Sequence, residues 1–155
     1  MDAFMEDLNT LKNKIARYCA WRDRCSKEVE SKLHEMAVAP EQIQTLIQWL
    51  EDEKYLDDVR FAESYVRGKH SANQWGRIRI VAELRSRNIA ENIIREALKS
   101  IDSEDYSATL RRLAENKYKT VKSEDVQVKK LKTLAYLSSK GYENDLIWDV
   151  LKTIE

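Results

Sequence analysis

Glycine, proline, cysteine and histidine are all scarce, at 3, 1, 2 and 2 residues among 155. So little glycine and proline leaves almost no turn chemistry for a β-rich fold, and helices are favoured from the outset. Two cysteines, Cys19 and Cys25, cannot staple a chain of this length as secreted mini-domains are stapled, so reduced thiols are expected. No apolar run is long enough to cross a bilayer. The first ten residues carry Asp2, Glu6 and Asp7 where a secretory signal has lysines and an apolar stretch, which predicts a cytoplasmic chain free of the membrane.

Catalytic sets are thin as well. His34 and His70 are the two imidazoles, and the sequence has neither a glycine-rich phosphate loop nor a Gly-x-Ser-x-Gly elbow, so no enzyme is expected. Cys19, Cys25 and His34 are spaced unlike any common zinc set and read as helical thiols packed among apolar neighbours. Neither metal nor cofactor is expected. The acidic group Glu51, Asp52, Glu53, Asp57 and Asp58 reads first as helix capping and solvated surface, with partner contact and a divalent cation as the alternatives.

Net charge is also absent, since 27 Lys and Arg balance 27 Asp and Glu. That argues against a globally basic nucleic-acid binder. The balance is not local. Residues 28–58 hold two basic and nine acidic residues, whereas residues 59–99 hold nine basic and four acidic ones. A dipolar surface follows.

What is present is an internal repeat. Starting from Leu33, Leu84 and Leu137, the positions 5, 10, 13 and 14 residues later are Val38, Ile43, Leu46, Ile47; Ile89, Ile94, Ala97, Leu98; and Tyr142, Ile147, Val150, Leu151. All are apolar or aromatic. Four residues after each leucine stand Ala37, Asn88 and Gly141, and Asn and Gly best tolerate the left-handed conformation that closes a helix. A helix, a tight turn and a second helix are therefore expected three times.

A third helix precedes each pair, because Leu8, Leu11, Ile15 and Tyr18 step by three and four residues, as do Phe61, Tyr65 and Lys69, and Tyr106, Leu110 and Leu113. Asp57 or Asp58 is expected to cap the helix opening near Val59, and Asp102 or Ser103 the one near Tyr106. Pro40 suits a helix's first turn. The predicted fold is all-α, with three tandem three-helix repeats spanning residues 1–58, 59–101 and 102–155. A unit of about 50 residues buries little core alone, so the repeats should stack into an elongated, curved array.

The basic block carries the strongest candidate site. Arg67, Lys69, His70, Trp75, Arg77, Arg79, Arg85 and Arg87 surround the single break at residues 71–76. Local positive fields bind phosphate backbones, with an aromatic for stacking where the strand is single. The alternative is that Trp75 closes the core while the arginines point into water. The other tryptophans, Trp21, Trp49 and Trp148, are expected in the core or at repeat junctions.

Several stretches resemble the RecX family of regulatory proteins, which modulate the RecA recombinase. Tyr55, Leu56, Asp57, Asp58, Val59, Arg60, Phe61 and Ala62 are similar to that family's Tyr-Leu-Asp-Asp-x-Arg-Phe-Ala signature at every position. Gly76, Arg77, Ile78 and Arg79 followed by Glu83, Leu84 and Ile89 resemble a second family region, as do Ser26, Glu28, Val29 and Leu33 a third. The likeness spans residues 15–151 and is weakest in the third repeat. Ala37 and Asn88 stand where the family prefers glycine, and Val29 where leucine is usual. The resemblance implies a regulator of DNA repair, recombination and the SOS response that enters the groove of the RecA filament on single-stranded DNA. There it would inhibit ATP hydrolysis, strand exchange and co-protease activity; the alternative reading is a stand-alone nucleic-acid-binding helical module, since three-helix units with a basic second helix are common DNA readers. A monomer is expected, with Arg67, Lys69, Trp75, Arg77, Arg79, Arg85 and Arg87 near DNA or acidic loops. Asp57 and Asp58 would face basic loops.

Overall fold

Residues 7–154 are described in a computed structural model, so Asp2 and Glu6 of the acidic N-terminal stretch lie outside the described residues. Among the described residues there are nine helices and no strand: α1 (Leu8–Trp21), α2 (Ser26–Glu35), α3 (Pro40–Asp52), α4 (Asp58–Ser71), α5 (Arg77–Ser86), α6 (Glu91–Leu98), α7 (Ser103–Thr120), α8 (Val126–Ser139) and α9 (Asn144–Leu151). Every extensive helix–helix contact falls within one of the trios α1–α3, α4–α6 and α7–α9. No helix is long and apolar enough to cross a membrane among the described residues.

The repeated sequence spacing has one cause. Ala37, Asn88 and Gly141 are left-handed, with φ of 59°, 58° and 97°. In each turn the next amide donates to the carbonyl of the repeat leucine: Val38 to Leu33 at 3.1 Å, Ile89 to Leu84 at 3.2 Å and Tyr142 to Leu137 at 3.1 Å. This is a Schellman closure, in which the residue after the left-handed one packs back on the helix's last apolar residue. Hence the apolar pair five residues apart, with the following helix starting directly after it. The repeat leucines are fully buried, and of the other repeat positions only Leu98 is half-buried.

Caps fall as the side-chain chemistry requires. Asp57 accepts from the amides of Val59 and Arg60 at the start of α4, and Asp102 accepts from Asp105 at the start of α7. Asp125 does the same for α8 through Gln127 and Val128. Pro40 occupies the first turn of α3, where no helical amide is missed.

Two cores form rather than three. Leu11, Ile15, Val29, Leu33, Leu46 and Leu50 belong to a core confined to the first trio. A second core runs unbroken through the second and third trios, joining Phe61, Ile80 and Leu84 to Tyr106, Leu137 and Tyr142. Cys25 alone enters that second core from the first trio.

The two junctions differ accordingly. Between the first and second trios the links are polar: Asp58 accepts from the amide of Ser26 at 3.0 Å and from its hydroxyl at 3.2 Å. Arg60 Nε donates to Asp23 at 2.9 Å, and Lys27 Nζ donates to the Ser86 carbonyl at 2.6 Å. Between the second and third trios the backbones themselves join, Gly76 N–H donating to Lys140 O at 2.8 Å and Ile78 N–H to Gly141 O at 2.9 Å. Tyr142 Oη adds a bond to the Gln74 carbonyl at 2.9 Å.

Candidate functional site

Three of the nominated cations, Lys69, Arg79 and Arg87, converge on two aromatic rings, one of them the nominated Trp75. Helix α4 places Tyr65 and Lys69 one turn apart on one face. Gln74 then turns left-handed, with φ of 59°, and Trp75 N–H donates back to the Lys69 carbonyl at 3.1 Å. That fold-back lays the indole beside the lysine stem. Lys69 Nζ sits 5.4 Å from the centre of the Tyr65 ring and 4.9 Å from that of Trp75. Arg79, in the first turn of α5, covers the other ring at 4.0 Å from Trp75, and Arg87, at the end of α5, lies 4.9 Å from Tyr65. Each such cation–ring contact contributes about 0.5–1 kcal/mol where exposed and holds the charge in place.

The electrostatics of the group are uneven. Arg87 pairs with Glu83 at 3.1 Å. Burial opposes its charged form, but the Glu83 carboxylate and Tyr65 outweigh burial and raise its pKa. Burial likewise pushes the Tyr65 hydroxyl up, against the pull of Arg87. Lys69 and Arg79 have no ion pair among the described residues. Their charge is free for an anion outside the chain. Arg87 and Glu83 also border an open cleft of 420 Å³ against Lys27, Glu28 and Lys32 of α2.

The remaining nominated residues lie elsewhere. Arg77 turns into the second junction, where its guanidinium stacks 3.8 Å from the Tyr106 ring and pairs with Glu143 at 2.8 Å. Tyr106 accepts from Arg77 N–H at 3.1 Å and donates in a short bond to Glu143. Burial, followed by that carboxylate, drives the Tyr106 hydroxyl far above the ordinary phenol range. Arg85 makes a two-pronged pair with Glu91 at 2.6 and 3.1 Å in open solvent. Arg67 is exposed on α4 and has no ion pair among the described residues. Asp57 and Asp58 are engaged within the chain, the first as the α4 cap and the second at Ser26.

Much of the Tyr55–Ala62 signature is thereby explained as architecture. Leu56, Phe61 and Ala62 are buried, Asp57 and Asp58 anchor helix starts, and Arg60 holds Asp23 together with the carbonyls of Lys54 and Tyr55. Of the acidic group, Glu51 has its pKa raised by burial and by Asp58 and Asp52. Among the described residues no three His, Cys, Asp or Glu side chains come together as a metal set. One expectation fails outright: Trp21, expected in a core or junction, is 81% exposed. It is the last residue of α1, where the helix has run past the core that its earlier turns cover.

Tyr65 was legible only as a core-facing residue, because its periodicity is that of the buried face. Its part in gathering Lys69 and Arg87 depends on α5 lying across α4. The third trio hides a further set. Residues 117–140 contain seven lysines against two acids, a signal lost when the charge of residues 100–155 is averaged to zero. Within it, Lys117 and Lys140 flank the ring of Tyr136 at 5.0 and 5.8 Å.

A tandem row of three-helix units, each closed by the same left-handed turn, defines a helical-repeat protein of three-helix domains. Residues 57–98 match the family pattern "RecX, second three-helix domain" and residues 104–151 match "RecX, third three-helix domain". The chain belongs to the RecX family of regulatory proteins. It is 31% identical over 145 residues to the regulatory protein RecX of Clostridium perfringens (strain SM101 / Type A), covering 92% of this chain and 68% of that protein. With the Bacillus subtilis (strain 168) protein of the same name the identity is 32% over 143 residues, covering 92% and 54%. The crystal structure of RecX from Lactobacillus salivarius superposes with a TM-score of 0.83 at 27% identity, over 91% of this chain and 92% of that one.

Proposed function

We propose that this chain is a non-enzymatic regulator that binds the RecA filament on single-stranded DNA in the cytoplasm, as a monomer. By occupying the filament it restrains ATP hydrolysis, strand exchange and co-protease activity. Family membership supports the partner. The observation that carries the surface is the group of Lys69, Arg79 and Arg87 held over Tyr65 and Trp75, two of whose cations lack any carboxylate partner among the described residues. Cations fixed over rings need little further ordering to meet phosphates or acidic loops, and such fields act most strongly at low salt. Arg67 extends the positive field outward, whereas Arg85 is balanced by Glu91; Arg77 and Asp58 bridge neighbouring units, and Asp57 caps α4.

The test is the double reversal Lys69→Glu with Arg79→Glu, assayed for inhibition of the recombinase's DNA-dependent ATPase, with helix content checked by circular dichroism. A folded variant that no longer inhibits supports the reading. Undiminished inhibition removes this face from the mechanism.

A further inference from the structure

The first and third trios carry opposite unpaired charge, each beside an apolar group that its own trio leaves uncovered. In the first, α1 and α3 border an open groove of 540 Å³ lined by Lys12, Gln44, Thr45, Gln48, Trp49 and Asp52. Trp49 is its half-buried apolar wall, held against Tyr55 with ring centres 5.7 Å apart. Glu51, Asp52 and Glu53 stand exposed at the C-terminal end of α3, and the last turn of that helix has no basic residue. None of the three has an ion pair among the described residues. A helix C-terminus bears partial negative charge of its own, so carboxylates there favour an incoming cation.

In the third trio, α8 buries Thr133 and Leu137 toward the core. Leu131 precedes Thr133 by two residues, which carries it roughly 200° round the helix. It is 54% exposed. Lys130 and Lys132 flank it, and neither has an ion pair among the described residues. A phosphate chain answers the lysines but leaves the leucine in water. A groove with an indole wall beside carboxylates answers both. The first trio offers that combination, and no extensive contact joins it to the third trio within one chain. The groove that suits α8 is therefore met on another copy.

We propose that α8 of one copy docks in the α1–α3 groove of the next, with Leu131 over Trp49 and with Lys130 and Lys132 toward Asp52 and Glu53. Lys12, 5.1 Å from the centre of the Trp49 ring, holds the α1 side of the groove and drives the incoming lysines to the α3 side. The two surfaces differ, so a pair keeps a free groove at one end and a free α8 at the other. Copies therefore add head to tail. One helix in one groove falls below the roughly 1,200 Å² of a stable interface, so dilute chains stay single and the contact joins copies only where they are crowded. This goes beyond the recombinase reading and does not rest on it.

The experiment is sedimentation velocity of the full chain alone, from about 10 µM to about 1 mM, in about 50 mM and about 500 mM salt. At low salt the sedimentation coefficient is expected to climb with concentration past that of a pair, and high salt is expected to hold it at that of one copy. Leu131→Glu, and separately Asp52→Lys with Glu53→Lys, alter exposed positions and are each expected to stay single throughout. Mixed in equal amounts, these variants are expected to form a species of two copies and nothing larger, because each supplies the surface the other lacks. Lys130→Gln with Lys132→Gln, with helix content checked by circular dichroism, is expected to raise the concentration needed for association about tenfold. The proposal is overturned if the unaltered chain stays single at about 1 mM in low salt or stops at a pair. It is equally overturned if any variant associates as the unaltered chain does, or if the mixture stays single. The ATPase assay above alters Lys69 and Arg79 alone, so the recombinase reading stands or falls separately.

Discussion

Gly76 and Gly141 meet backbone to backbone, and neither has room for a side chain. A Cβ on Gly76 would lie 2.3 Å from the Gly141 carbonyl oxygen, and one on Gly141 would lie 2.5 Å from the Arg79 amide nitrogen. The obstructing atoms are main chain and cannot rotate away. Gly76→Ala and Gly141→Ala are each expected to lower stability by about 2 kcal/mol or more, read from urea midpoints. Gly68, inside α4, has nothing within 4 Å of its missing Cβ. Gly68→Ala is expected to raise stability by about 0.5–1 kcal/mol, since there only chain entropy changes.

Ala37 adopts φ of 59° in the same closing turn that Gly141 makes with φ of 97°. An alanine there bears a left-handed penalty of roughly 1–2 kcal/mol, partly offset by its smaller entropy loss on folding. Ala37→Gly is expected to stabilise the first trio by about 0.5–1 kcal/mol, measured as a rise in melting temperature. A fall would mean that the Ala37 methyl makes contacts worth more than the strain.

Asp57 and Asp58, adjacent in sequence, hold different helices. Asp57→Ala is expected to cost about 1 kcal/mol by uncapping α4. Asp58 acts at a distance, so its loss should couple to Ser26. In a double-mutant cycle of Asp58→Ala and Ser26→Ala, a coupling of about 0.5–1 kcal/mol is expected. Strict additivity would show that the bond across the first junction contributes nothing net.

Alkali should unfold this chain earlier than its ordinary groups would. Burial pushes the Cys19 and Cys25 thiols from 9.0 to about 11 and the Tyr142 hydroxyl from 10.0 to about 12. Each group holds its proton more tightly folded than unfolded. Its contribution is therefore complete below the unfolded pKa and is lost as pH rises through the folded one. Urea midpoints are expected to decline from pH 9 toward pH 12, and Tyr142→Phe should flatten the upper part of that decline. An unchanged slope in the variant would rule out Tyr142 as a source.

The helical trios were readable because their signal is local. A leucine, a left-handed residue four positions on and an apolar residue five positions on are the sequence trace of one hydrogen-bonding pattern, and it recurs at Leu33, Leu84 and Leu137. The junctions were not readable. Asp58 finds Ser26 across 32 residues, and Arg77 finds Glu143 across 66. No periodicity within either segment records such a pairing. The basic stretch was visible as charge, but its division was not. Lys69, Arg79 and Arg87 gather on rings because α4 and α5 cross, while Arg77, two residues from Arg79, points into the third trio.

A single apolar interior spans the second and third trios, whereas the first has its own and touches them mainly through polar groups. Cooperative units follow buried continuity more than helix count. The C-terminal two-thirds should then melt as one block, carrying the cations gathered on Tyr65 and Trp75 with it. The N-terminal trio, tied to that block by Asp58, Arg60 and Lys27 and by the buried Cys25, is expected to come loose first, like an outrigger, at a denaturant concentration the block still withstands.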